Sequence, residues 1–274
     1  MRVLCLGDLV GRPGRRAVRE CLPTVRAEHA IDLVILNVEN ATNGAGIRRK
    51  EAEELLGYGV ECLTTGDHVL DFAEVHEYLA AEPRLLRPIN YEMPGWGAQV
   101  YTAAGGARVG VVNVCGHVFM KERCTVRNAF AAAKEAVEKL RAETPLVLVD
   151  MHAEATSEKL GMGWHLDGLA SAVFGTHTHV QTADVQVLPS GTGYITDLGM
   201  CGPHFGIIGR DKDVVLKRFT GEEKSYMKVA RRWIRLCGAV FELDCATGRC
   251  LDARLFRHDF EPADDPAMAA GESD

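Results

Sequence analysis

No apolar run in this sequence approaches the roughly 20 residues that a membrane-spanning helix needs. The opening stretch, residues 1–8, is short and ends in a carboxylate, so a buried first strand is expected there and a secretory signal is not. Basic residues are the minority, 31 Lys and Arg against 38 Asp and Glu, for a formal net charge of −7. That balance argues against a general electrostatic grip on nucleic acid or on an anionic membrane, but not against a small phosphate-bearing ligand at a local cation. The nine cysteines include no close CxxC pair, and Cys5, Cys62 and Cys115 fall inside apolar stretches. Free thiols in a reducing cytoplasm are expected rather than a disulfide framework, including at Cys245 and Cys250, which flank the turn at Gly248. Internal repeats and domain-length linkers are also lacking.

What remains is an ordinary soluble composition, 47% hydrophobic and 25% charged over 274 residues, enough for one large core. Short apolar runs at residues 3–7, 33–38, 62–65, 109–114, 146–149, 172–174 and 194–196 read as strands. Their near-continuous hydrophobicity suggests sheets covered on both faces. Between them, helices are expected from Pro13 to about residue 28, then over 49–56, 69–80 and 126–143. Stretches 232–243 and 250–256, joined by a Gly-containing turn, carry the signature of an antiparallel hairpin. The expected organisation is one layered α/β domain over residues 1–260, with an acidic, disordered tail over 261–274.

The chemistry gathers directly after the predicted strands. Asp8 follows the first, Glu39 and Asn40 the second, Asp67 and His68 the third, Asp150 and His152 a later one, and His177 and His179 the next. In open α/β sheets the carboxyl ends of strands converge on one crevice, so these groups can meet. A carboxylate ending an apolar strand must find a partner or a cation. His177-Thr178-His179 is expected to be extended, which would place its two imidazoles on one side. No cysteine stands at any of these positions, which excludes a structural zinc site. Mixed imidazole and carboxylate donors suit iron, manganese or zinc. Asp8, Glu39, Asn40, Asp67, His152, His177 and His179 are too many ligands for one ion and about right for two that share a carboxylate. A dinucleotide site is the rival, because Gly7, Gly11 and Gly14 lie between a strand and a helix with Glu39 ending the next strand. Its spacing is not GxGxxG, and Asp8 would oppose a pyrophosphate. A Walker-type loop is excluded by the lack of GK[ST] after the glycines.

Gly7-Asp8, Asn37-Val38-Glu39-Asn40, Gly66-Asp67-His68, His152 and Gly175-Thr176-His177-Thr178-His179 together resemble the calcineurin-like metallophosphoesterase pattern. The runs Asp150-Met151-His152-Ala153-Glu154-Ala155-Thr156-Ser157-Glu158-Lys159 and 175–184 look like its YmdB-type bacterial branch. Arg87-Pro88 with Asn90, and Thr196-Asp197-Leu198-Gly199-Met200, extend the similarity over nearly the whole chain. The resemblance implies a four-layer αββα sandwich, two metal ions (iron first, with manganese or zinc as alternatives) and hydrolysis of small phosphodiesters such as 2′,3′-cyclic nucleotides. It implies Asp8, Glu39, Asn40 and His179 around one ion, with Glu39 shared, and Asp67, His152 and His177 completing the second. His68 would protonate the leaving group after attack by a metal-bridging hydroxide. A homo-oligomer is expected, with no stable nucleic-acid or membrane partner.

Two positions depart from that pattern. Asp67 stands where the family has Asn, and Cys115-Gly116-His117 stands where an Arg usually follows the glycine. A third ligand carboxylate makes a dinuclear cluster less positive, weakening its pull on phosphate. His117 carries a less constant charge than Arg near neutral pH. A metal-binding scaffold with little catalysis is therefore the alternative. Glu154, Thr156 and Glu158 are expected either to shape the loop behind His152 or to form the first turn of the next helix.

Overall fold

A computed structural model describes residues 1–121, 124–222 and 226–261. The tail expected over 261–274 falls almost wholly outside the described residues.

Two mixed sheets form the centre. The first runs β2 (Asp8–Leu9), β12 (Met200–Pro203), β13 (Ile234–Leu243), β1 (Arg2–Leu6), β3 (Leu33–Asn37), β4 (Cys62–Thr64) and β5 (Leu85–Leu86), and β14 (Cys250–Phe260) lies along β13. The second runs β10 (Gln186–Val187), β11 (Gly193–Ile195), β9 (Ala172–Thr176), β8 (Val147–His152), β7 (Arg108–Cys115) and β6 (Ala98–Thr102). Alternation along β1 shows how the layers arise. Val3 and Cys5 turn to a core shared with Val111, Leu148 and Phe174 of the other sheet. Leu4 and Leu6 turn instead to Ala17, Leu22 and Val25 of the first helix. Because side chains on a strand alternate faces, a strand apolar at every position must be covered on both.

The outer layers are helical. Against the first sheet lie α1 (Gly11–His29), α2 (Arg49–Gly57) and α3 (Val75–Ala81). Against the second lie α4 (Ala129–Arg141) and α5 (Thr156–His165), while α6 (Lys212–Phe219) follows the β12 segment. The result is the four-layer αββα sandwich that the motifs implied. Pro13 lies in the first turn of α1, as its missing N–H favours. The helix expected from residue 126 starts at Ala129 instead, because the Asn128 side chain accepts the Ala131 N–H at 3.0 Å and caps it there. The hairpin of β13 and β14 is antiparallel, and all nine cysteines are unpaired.

A second helix differs more from its expected span. Residues 69–80 do not form a continuous helix: a 3₁₀ turn spans Asp67–Leu70 and α3 begins only at Val75. In a 3₁₀ turn side chains three apart eclipse, and His68 Nδ1 meets Asp71 Oδ2 at 2.6 Å.

Candidate metal centre

β1, β3 and β4 run parallel in the first sheet, and β7, β8 and β9 run parallel in the second. Their carboxyl ends deliver the acidic and imidazole groups to one place between the sheets. Asp8, Glu39 and His152 are at most 1% exposed, and Asn40 is 4% exposed. Donor atoms of Glu39, Asp67, His152 and His177 all lie within 4.8 Å of one another, as do those of Asp8, Glu39 and His179. Glu39 belongs to both groups. Asn40 adds its Oδ1, 3.1 Å from His179 Nε2.

The group of Glu39, Asp67, His152 and His177 is tightly drawn. His152 Nε2 lies 3.0 Å from Glu39 Oε2, 3.4 Å from Asp67 Oδ1 and 3.0 Å from His177 Nδ1. Gly66 makes this approach possible, since a Cβ there would sit 2.2 Å from both Glu39 Oε2 and the His152 ring. Asp67 Oδ1 is buried with no hydrogen-bond partner. A carboxylate oxygen sealed among electron-pair donors is costly unless a cation sits opposite it, so the donor set fits a metal ion. The other group, with three oxygen donors and one imidazole, also suits a divalent transition ion.

The surroundings fix the ring of His152. Thr176 Oγ1 donates to Asp150 Oδ1 at 2.7 Å and therefore accepts from His152 Nδ1 at 2.8 Å. That leaves the Nε2 lone pair of the neutral ring directed at the ligand cluster. Asp150 is itself held by Thr64 Oγ1 at 2.5 Å and Asn37 Nδ2 at 3.1 Å, and Asn37 Oδ1 accepts the Glu39 N–H at 3.1 Å. Sequence reading noted Asp150 and Asn37 only as motif neighbours and missed Thr64 and Thr176 as partners.

Electrostatics follow from burial. Burial raises the Asp8 carboxyl to about 7, with His152 and the His177 N–H pulling it back. Burial works against ionised Glu39 too, but His152 and His177 opposite it hold its pKa well below the usual range. His152 shows the converse: burial disfavours its cation, yet Glu39 and Asp67 raise its pKa well above normal. Burial pushes His179 down to about 4, keeping its imidazole neutral and able to donate a lone pair.

The remaining sequence candidates lie at the rim. His68 pairs through Nδ1 with Asp71, and its backbone N–H faces Glu39 Oε2 at 3.4 Å. His117 places Nε2 3.0 Å from the Arg127 carbonyl, and its backbone N–H donates to Glu158 Oε1 at 2.9 Å. Glu158 thus both opens α5 and anchors the loop at 117–118, while Glu154 Oε2 reaches His177 Nε2 at 3.1 Å. Asp8, which a dinucleotide reading would set beside a pyrophosphate, is enclosed in the acidic and histidine cluster instead.

A model of the YmdB-like protein family matches residues 4–255. The chain belongs to the YmdB-like family. It is 40% identical over 253 residues to a Bacillus subtilis (strain 168) protein named 2′,3′-cyclic-nucleotide 2′-phosphodiesterase, covering 92% of this chain and 94% of that one. The fold is similar to the crystal structure of a hypothetical protein from Thermus thermophilus, with a TM-score of 0.86, 38% identity and coverage of 96% and 100%. It is also similar to a crystal structure described as a novel phosphatase from Mycoplasma pneumoniae, with a TM-score of 0.87, 31% identity and coverage of 98% and 96%.

Proposed function

We propose that this YmdB-like protein is a dinuclear-metal phosphodiesterase acting on small cyclic phosphodiesters, with 2′,3′-cyclic nucleotides as the substrate class. The observation that carries the reading is Glu39, whose carboxylate belongs to both donor groups. Asp8, Glu39, Asn40 and His179 would hold one ion, and Glu39, Asp67, His152 and His177 the other. Iron is the first candidate, then manganese or zinc. Two such ions supply Lewis acidity toward phosphate oxygens and make water acidic enough to serve as a nucleophile at neutral pH.

The chain's own groups do the rest. Burial of Asp8, Glu39 and His152 keeps bulk water from competing for the ligand positions and strengthens every charge interaction there. His68 stands beside the cluster with Nδ1 taken by Asp71. Its Nε2 is the ring nitrogen left to donate a proton to the departing ribose oxygen. Loss of such a donor costs on the order of 10²–10⁴ in rate. His117 stands on the loop that Glu158 anchors, with its Nε2 3.0 Å from the Arg127 carbonyl.

The name of the Bacillus subtilis relative supports the substrate class, and the small-molecule reading agrees with the acidic net charge of −7. No helix among the described residues is long and apolar enough to cross a membrane. Nine unpaired thiols support placement in the reducing cytoplasm, and assembly as a homo-oligomer completes the proposal.

The test is metal analysis of protein purified without added metal, followed by assay with 2′,3′-cyclic AMP and bis-p-nitrophenyl phosphate. Two ions per chain with turnover of both compounds is expected. His68→Ala should retain its metal and lose about 10²–10⁴ in kcat on the cyclic nucleotide. Metal-loaded protein with no turnover would favour the scaffold role instead, and turnover unchanged in His68→Ala would remove the proton donor.

A further inference from the structure

Behind the two ligand groups lies a buried ion pair that belongs to neither. Lys159, on α5, is 1% exposed and Asp197 is fully buried, with Nζ 2.7 Å from Asp197 Oδ2. Both converge on Thr178, the residue between His177 and His179. Thr178 donates its backbone N–H to Asp197 Oδ2 at 3.2 Å and its hydroxyl to the same oxygen at 2.6 Å. The hydroxyl oxygen in turn accepts from Lys159 Nζ at 3.2 Å.

The two histidines on either side of Thr178 need such restraint. The segment is not the extended one expected from its sequence: β9 ends at Thr176, and His177 has φ 98° and His179 has φ 63°, both in the left-handed region that β-carbon sterics disfavour. Residues persist there only where the surroundings over-determine them. The backbone around Asp197 extends the restraint to the first sheet. Asp197 Oδ1 accepts the Gly199 N–H at 2.7 Å, and the Gly199 carbonyl accepts the Asp8 N–H at 3.1 Å. On the other side, the Leu198 N–H donates to the Gly175 carbonyl at 2.9 Å, two residues before His177. Gly175 also makes room for the lysine, since a Cβ there would lie 2.8 Å from Lys159 Cδ. One buried pair therefore ties together Asp8 from the first sheet and His177 and His179 from the second.

We infer that Lys159 and Asp197 are positioning residues that lock the His177-Thr178-His179 turn and Asp8 in ligand geometry, so that the site is assembled before metal binds. Neither touches substrate or metal. An Asp197 left without its cation, or a Lys159 left without its anion, is an uncompensated buried charge. The surrounding turn then relaxes, and the left-handed histidines return toward commoner backbone angles.

This inference rests on the two-metal reading, and the experiment separates the two. The probe is Mn²⁺, titrated into metal-stripped wild type, Lys159→Met, Asp197→Asn, the double variant and Thr178→Val. Affinity is read by calorimetry and ion–ion coupling by electron paramagnetic resonance, with circular dichroism checking the fold and kcat and KM measured separately. Partners one shell out from metal ligands are worth about 10- to 100-fold in affinity. Each folded single variant of the pair should therefore bind Mn²⁺ about 10- to 100-fold more weakly, show reduced coupling and lose kcat more than KM. Thr178→Val leaves the ion pair intact and should weaken binding in the same direction, so it decides the matter if the charge variants do not fold. The double variant, with no unpaired charge, should regain thermal stability over the singles without regaining metal affinity. Wild type that takes up no Mn²⁺ overturns the two-metal reading and this inference together. Wild type that loads two ions, with Thr178→Val and the folded pair variants loading them equally well, overturns this inference alone.

Discussion

Glu39 Oε2 and His152 Nε2 face each other at 3.0 Å, and neither side chain is more than 1% exposed. They come from different sheets, Glu39 from just beyond β3 and His152 from the end of β8. Without a metal, the pair is held by a proton: His152 is raised well above normal, and Glu39 is held well below. Glu39 and His152 would both have to give up that proton to hold a metal ion, so metal binding would be coupled to deprotonation.

Thr176 decides which nitrogen of His152 is available. Thr176→Val keeps the shape of the side chain but removes the hydroxyl that accepts from His152 Nδ1 and donates to Asp150. The ring loses its orienting partner, and metal affinity is expected to fall about 10- to 100-fold with secondary structure unchanged. Chelator-competition titration checks this; affinity equal to wild type would show that packing alone orients the ring.

Asp67 adds a third carboxylate to the two of Asp8 and Glu39 around the proposed metal pair. Asp67→Asn leaves the cluster one charge more positive and supplies an amide donor. Inorganic phosphate should inhibit about three- to tenfold more strongly, on the order of 1 kcal/mol, with activity raised or unchanged. The inhibition constant for phosphate measures it. A fall in both activity and phosphate affinity would show that the site depends on its carboxylate.

The pH dependence follows from Asp8, raised from 3.8 to about 7 by burial. In metal-free protein its raised pKa contributes stability that is fully present below 3.8 and lost as pH rises through about 7. Metal needs the ionised form, so the stabilisation it brings grows over the same range, and the raised His152 acts in the same direction. The gap in Tm between metal-loaded and metal-free protein should therefore widen from pH 5.5 to pH 8. Paired thermal melts across that range measure it, and a gap that is flat or narrows would contradict the assignment.

Much of the candidate site could be read before the fold was known, because a carboxylate or imidazole directly after an apolar strand has few structural uses. Asp8, Glu39, Asp67, His152, His177 and His179 all stand in such places, and parallel strand ends bring them together. Thr64 and Thr176 were not legible in this way. A threonine in a strand is ordinary, and its role appears only when another strand brings Asp150 within 2.7 Å or less. Lys159 was hidden for a different reason. On a helix it reads as a solvated charge, and only the approach of Asp197 shows that it is buried. Among the elements, the two-residue strands β2, β5 and β10 lie below any periodicity signal. The break before α3 was missed because apolar spacing over 69–80 continues through it, while the His68–Asp71 contact that accompanies the tighter turn depends on geometry.

The central claim is that one carboxylate, Glu39, serves two ions at once. Anomalous diffraction from crystals of the protein loaded with Mn²⁺ tests it most directly. Two peaks are predicted, roughly 3.5–4 Å apart, one among Asp8, Asn40 and His179 and one among Asp67, His152 and His177, with Glu39 reaching both. A single peak, or two peaks of which one lies away from Glu39, would contradict the account.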